Sequence, residues 1–275
     1  VYKRQAADTA KAEGKPAPSG SDWLASHPSN DKRLQDIIRV ADGYKGKAAY
    51  GDDGRLRYLQ AIDGMEFGDS RAQGLVRGQN FFHEPLGIAM TAPAAWKIKN
   101  TQEAVALVNP AGDAGLVMQT LGDKAGSSHD EIIRNVFKPT QSHTERLTLN
   151  GLAATHFTGT VANSQGKAQA IEATLVTGPS NRNYALLYVA KDASALQRSR
   201  ASLKEAEATF RALTAADRKA AQPWRLKLAT YPQGGFAQLA KQSPLPRDAE
   251  RQLRLVNGVY AGNDPPVGQR VKVIE

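Results

Sequence analysis

The sequence predicts an α+β protein built on an antiparallel sheet, and three observations predict it. Stretches at 114–120, 168–177 and 183–190 read as strands, with turn residues between them. Two amphipathic helical stretches interrupt the strand pattern, and helices set against an antiparallel sheet form an α/β sandwich. The C-terminal segment reads strand, helix, helix, strand, a β-α-α-β unit small enough to depend on its neighbours or on tight packing.

Taken in order, Val1 to Gly20 is rich in Lys, Ala, Gly and Pro and reads as a fraying helix end followed by a loop. Leu34, Ile37, Ile38 and Ala41 then fall at i, i+3, i+4 and i+7, one apolar helical face that must pack on something. Pro28 precedes this helix and Gly43 can end it. Residues 44–78 are rich in Gly and Asp and read as a connector around the short apolar stretch 58–62. Further strands are expected at 86–91, 103–108, 144–149 and 153–161. Ser128 with Glu131 forms a capping-box pattern, opening a helix on which Ile132, Ile133, Val136 and Phe137 share a face. A second helix is expected over 193–213, striped by Leu196, Leu203, Phe210 and Leu213. Residues 215–223 read as a polar linker. The closing unit then runs as a strand at 225–230, helices at 236–241 and 248–255, and a strand at 271–274.

The 275 residues contain 41% hydrophobic and 23% charged residues, which suits a folded core and excludes extensive disorder. Cysteine is absent, so disulfides, thiolate zinc sites and thiol nucleophiles are excluded together. Net charge is +9, but basic and acidic residues interleave almost everywhere, which describes a solvated surface. Aromatics are 7% and do not alternate with the basic residues as stacking platforms for nucleic acid would require. The longest tidy apolar run, Tyr184 to Ala190, is strand-sized, far below the ~20 residues that span a bilayer.

Few residues have the spacing of a catalytic site. His83-Glu84 begins like a zinc-peptidase signature, but Gly87 stands where the second histidine belongs and Pro85 breaks the helix between. His129, His143 and His156 are too scattered to suggest a ligand set, and each reads as structural or exposed. Neither a serine elbow nor a phosphate loop is present. Asp52-Asp53 lies in a turn without a partner acid. His27 precedes a proline and projects from a loop leading into a helix, so three roles are open to it: zinc ligand, gate of a cleft, or local packing. Arg33 is placed to pair with a carboxylate.

The run Trp23-Leu24-Ala25-Ser26-His27-Pro28 with Arg33 resembles the segment that follows the active site in periplasmic zinc metalloproteases of the BepA/YfgC type, relatives of HtpX and the CAAX prenyl protease. The stretch from Tyr58 to Met65, with Gly68-Asp69, Gly74, Val76-Arg77-Gly78 and Phe82-His83, is similar to the connector in members with long C-terminal extensions. Leu86-Gly87-Ile88-Ala89 through Pro93 and Trp96 resembles the opening of a PsbP/Mog-type sandwich. Leu255-Val256-Asn257-Gly258 and Pro266 to Val273 resemble a degenerate LysM module, with Tyr231-Pro232-Gln233-Gly234-Gly235 in place of its usual turn.

The resemblance implies a chain that begins after its own catalytic centre, since it starts at Val1 and none of its five histidines belongs to a His-Glu-x-x-His helix. Residues 1–45 are then the helical tail of a peptidase domain, 46–80 a connector, 81–214 the sandwich, 215–221 a linker and 222–275 the LysM-like module. Zinc belongs to the intact parent, whose motif glutamate acts as general base on metal-bound water. No cofactor is expected for this chain alone. His27 is the residue to which a latch or additional zinc-ligand role carries over, beside the family positions Pro28 and Arg33. Asn257 and Gly258 are the glycan-binding candidates. The implied partners are an upstream peptidase domain and envelope proteins or peptidoglycan, in a periplasmic or envelope-associated setting. The alternative is a non-enzymatic envelope-binding or scaffold protein, because residues 222–275 carry eight Lys/Arg against four Asp/Glu.

Overall fold

The structure is a computed structural model that describes residues 30–43, 53–162, 166–246, 248–259 and 264–275, with the backbone alone for 30–34. His27 and Pro28 lie outside the described residues, and Arg33 is placed by its helical backbone. The chain divides into two units: Val1–Met65 with Arg225–Glu275, and Glu66–Trp224. It is an α+β protein.

Fourteen strands are described: β1 (Glu66–Phe67), β2 (Leu75–Arg77), β3 (Asn80–His83), β4 (Ile88–Thr91), β5 (Lys97–Asn100), β6 (Val105–Val108), β7 (Ala114–Thr120), β8 (Gln141–Leu149), β9 (Leu152–Ala162), β10 (Ala168–Thr177), β11 (Asn183–Ala190), β12 (Arg211–Ala212), β13 (Trp224–Thr230) and β14 (Arg270–Ile274). The described α-helices are α1 (Asn30–Asp42), α2 (Arg55–Ile62), α3 (His129–Ile132), α4 (Ala193–Ala208), α5 (Ala215–Ala220), α6 (Gly235–Ala240) and α7 (Ala249–Val256).

In the unit Glu66–Trp224 a seven-stranded sheet runs β5-β6-β7-β11-β10-β9-β8, with every neighbouring pair antiparallel. The alternation of β11 decides its two faces. Tyr184, Leu186 and Tyr188 point into a core with Leu203, Ala206 and Phe210 on and just beyond α4, while Ala185 joins a second core with Ile132, Ile133, Phe157 and Leu175 beneath α3. Asp192 caps α4, its side chain accepting the Ala195 N–H. Helix α3 continues as a π-helical turn over Ile133–Phe137 that ends at Lys138 in the left-handed region.

A four-stranded sheet, β12-β4-β3-β2, supplies Phe81, Ile88 and Met90 to the first core. Its other side buries Leu75, Phe82 and Ala89 with Leu213 and Ala221. Two segments therefore carry more structure than their composition suggests. The stretch read as a connector holds α2, β2 and part of β3, and the stretch read as a polar linker holds α5. That helix forms because Thr214 and Asp217 cap it reciprocally and Asp217 also holds Arg211.

In the other unit β13 pairs antiparallel with β14, Leu226 opposite Ile274 through Thr230 opposite Arg270. Helices α6 and α7 connect them, giving the expected β-α-α-β order. Phe236, Leu253, Val271 and Ile274 are buried. Asp264 accepts from Tyr231 Oη at 2.6 Å and pairs with Arg254, which also reaches Glu250 at 3.1 Å. Helix α1 differs from its expectation, for Ile37 and Ile38 are 61% and 51% exposed.

Candidate polar cleft around His129

Helix α3 begins at a capped serine. Ser128 Oγ accepts the Glu131 N–H at 3.2 Å, while the Glu131 carboxylate reaches back one residue further than a capping box requires, accepting from Ser127 N at 2.8 Å and Ser127 Oγ at 2.7 Å. That cap fixes His129 in the first turn, above the strands. Its Nδ1 lies 2.8 Å from Thr155 Oγ1 on β9 and its Nε2 lies 2.9 Å from Thr177 Oγ1 on β10.

The hydrogen-bond directions follow from the last partner. Thr177 Oγ1 donates to Asn183 Oδ1 at 2.9 Å, so it accepts from His129 Nε2–H, and Nδ1 accepts from the Thr155 hydroxyl. Burial pushes the His129 pKa below its usual value, with Arg146 adding to the effect and Asp130 opposing it. The imidazole is thus held neutral in one tautomer.

This chain floors a cleft of about 380 Å³ whose walls are Ser127, Asp130, Arg146, Asn181 and Asn183, with Ala153 the aliphatic exception. Arg146 and Asp130 form an exposed ion pair of 3.0 Å across it. Asn181 in the wall and its neighbour Ser180 are held at φ 55° and 58°, a left-handed conformation that costs free energy in non-glycine residues and concentrates at binding sites. A wall of hydroxyls, amides and one ion pair suits a polar, hydroxyl-rich ligand. Thr155, 3% exposed, gives its hydroxyl to His129 Nδ1 at the floor of the cleft.

A second cleft of about 370 Å³ lies beside His83, lined by Leu86, Val105 and Met118 and by Asn100, Gln102 and Glu103. His83 Nδ1 is 3.3 Å from the Leu86 backbone N–H, and burial lowers its pKa. Glu84 faces Arg71 at 3.7 Å and Arg218 at 4.0 Å. The pair singled out as a near-signature is therefore a strand end and a turn acid.

His156 belongs to a buried polar group on the α4 side of the sheet. Its Nδ1 lies 2.8 Å from Thr174 Oγ1, which donates to Glu207 at 2.8 Å, and its Nε2 lies 3.5 Å from Glu172. Arg200 on α4 grips Glu172 with two bonds of 2.9 and 2.6 Å. The Tyr188 hydroxyl is buried here without a well-formed hydrogen bond; burial first, then the charges of Glu207 and Glu172, raises its pKa well above the usual tyrosine range. His143 is exposed on β8.

Asn257 and Gly258 end α7. Asn257 Nδ2 donates to the Leu253 and Lys272 carbonyls at 2.9 and 2.8 Å and its Oδ1 accepts from Lys272 N at 2.8 Å, so both ends of the amide tie the helix to β14. Gly258, at φ 76°, takes the left-handed closing position, donating to the Leu255 carbonyl, and Val259 then donates to that of Arg254. Among the described residues no three His, Asp or Glu side chains come together as a metal-ligand set. The His129 cleft was not legible in the sequence, where the capping pattern gave the helix start but no spacing linked it to Thr155, Thr177 and Asn183.

No family model and no curated protein matches the chain. Among solved structures it is similar to cyanobacterial PsbP (CyanoP) from Synechocystis sp. PCC 6803, at 13% identity and a TM-score of 0.35, covering 53% of this chain and 98% of that one. It is also similar to LpqN, a protein involved in cell envelope biogenesis of Mycobacterium tuberculosis, at 14% identity and a TM-score of 0.34, covering 58% of this chain and 96% of that one. At these identities and TM-scores neither similarity carries a function to this chain.

Proposed function

We propose that the chain has an accessory, non-catalytic role at the bacterial cell envelope, with the unit Glu66–Trp224 binding a hydroxyl-rich envelope ligand in the His129 cleft. The observation that carries this reading is the directional chain Thr155, His129, Thr177, Asn183: it spends the base and both hydroxyls on positioning one another under a polar opening. The cleft volume falls in the range usual for small-molecule sites. The β-α-α-β unit, LysM-like in its element order, adds basic surface that favours acidic polymers. Co-sedimentation with purified peptidoglycan at low and high salt tests the proposal. Pelleting that persists at high salt and weakens in Asn183→Ala supports it; no pelleting at low salt rejects it, and pelleting abolished by salt reduces it to charge alone.

A second reading makes this chain the C-terminal part of an envelope zinc metalloendopeptidase, its catalytic domain upstream and His27 a latch or additional zinc ligand. The exposed Ile37, Ile38 and Val40 of α1 favour it, since a tail helix needs a partner surface to cover such a face. The chain by itself is then inactive. A peptide-cleavage assay with added zinc is expected to show no turnover, and robust metal-dependent cleavage by these 275 residues would overturn this reading.

A further inference from the structure

Every sheet has edges, and an unpaired edge strand is a template for another strand unless it is shortened, charged or covered. In the seven-stranded sheet one edge is β5, four residues long and carrying exposed Lys97 and Lys99. The four-stranded sheet ends in β12 and β2, of two and three residues. The other edge of the seven-stranded sheet is different. Strand β8 has nine residues with neither lysine nor proline, its exposed Glu145 and Arg146 are of opposite sign, Gln141 through Arg146 are all exposed, and no described strand pairs with its outer side.

The backbone fixes which β8 residues face outward. Asn150 and Gly151, both at positive φ, form a two-residue turn that joins β8 to β9, so Leu149 and Leu152 are the first hydrogen-bonded pair. Counting back by twos, Leu147, Glu145 and His143 bond β9, and Thr148, Arg146, Thr144 and Ser142 direct their N–H and C=O groups to the open edge. An incoming antiparallel strand must use those even residues for its hydrogen-bonded pairs.

Applied to a second β8, that parity requires a two-fold arrangement to be centred on a residue that faces its own copy, and the side chains then select which residue. Centring on Glu145 or on Arg146 sets like charges opposite one another, which is unfavourable. Centring on Thr144 sets Thr144 opposite itself, Ser142 opposite Arg146, and His143 opposite Glu145 twice. The His–Glu pairs fall at non-hydrogen-bonded positions, where cross-strand side chains approach most closely. We infer that β8 pairs antiparallel with the β8 of a second copy of this chain, centred on Thr144, making one continuous sheet across a two-fold dimer.

Sedimentation equilibrium on the full chain tests this. A concentration-dependent dimer is expected. Thr144→Pro removes an N–H that faces the open edge, so the protomer keeps its circular dichroism and melting while the dimer weakens by roughly tenfold or more, because both hydrogen bonds of the central pair are lost. Glu145→Lys weakens the dimer, and His143→Glu combined with Glu145→Lys restores it, an outcome specific to this register and independent of the proline variant. A monomer at every concentration, or a dimer that neither Thr144→Pro nor Glu145→Lys weakens, overturns the inference.

Discussion

At the scale of single residues, the His129 chain makes a stability prediction whose sign is fixed by burial. The folded imidazole has a pKa below its usual 6.5 because burial disfavours the charged form. The unfolded histidine therefore takes up a proton first, and protonation favours unfolding. The contribution is complete above about 6.5 and declines as pH falls toward the folded value. Melting temperatures measured between about pH 7 and pH 5 should fall for the wild type and fall less for His129→Gln. His83, also lowered by burial, shifts both proteins alike. Thr155→Val deletes the hydroxyl that Nδ1 accepts from and leaves that nitrogen of the half-buried imidazole unpaired, at a cost of about 1–2 kcal/mol by denaturant titration. An unchanged midpoint in Thr155→Val would show that water replaces the hydroxyl and that the cleft floor is open.

At the scale of elements, the β8–β9 hairpin depends on one turn that also serves a helix. Asn150 Nδ2 donates to the carbonyls of Ala208 and Phe210, both at 2.8 Å, satisfying groups at and just beyond the C-terminal end of α4. Asn150→Ala loses those bonds and the asparagine's tolerance of φ 49°, so a loss of about 2 kcal/mol is expected, against about 1 kcal/mol for Gly151→Ala, whose added methyl meets nothing within 4 Å but must hold φ 83°. Equal losses in the two variants would show that turn strain alone matters. The same hairpin shows what the sequence reveals. Strands β7, β10 and β11 have the bounds read from the sequence, because each crosses a sheet with its faces buried under different elements. Strand β3 is missed because Phe81 and Phe82 are both buried, one in each core, which erases the alternation that marks a strand. Helix α5 is missed because its capping pair, Thr214 and Asp217, lies among alanines and charges that read as a linker. Asp217 is the more telling of the two: the Arg211 guanidinium and the Thr214 donors hold its carboxyl far below the ordinary value of 3.8, so its contribution is present above that value and lost as pH falls below it.

At the scale of the molecule, the unit Glu66–Trp224 is an insertion, flanked on both sides by segments of the other unit. The flanking segments meet where they leave it: Gly64 N donates to the Leu226 carbonyl at 2.7 Å, Leu226 N to that of Met65 at 2.8 Å, and Leu228 N to Asp63 Oδ1 at 3.2 Å. Ends held together in this way allow a domain to be inserted without unravelling its host. The described cores of the sandwich, from Leu75 to Ala221, all lie inside the insertion. Expressed alone, Glu66–Trp224 should melt in a single cooperative transition that matches one transition of the full chain by calorimetry. Residues 225–275 alone lack the strand-side partner that Asp63 to Met65 supply to β13, so they should show a broad, weak transition until a segment containing residues 53–65 is restored. A sandwich unit that binds a hydrophobic dye and melts without a calorimetric peak would mean that its cores are not self-sufficient, and the boundary at Met65 would not be a folding boundary.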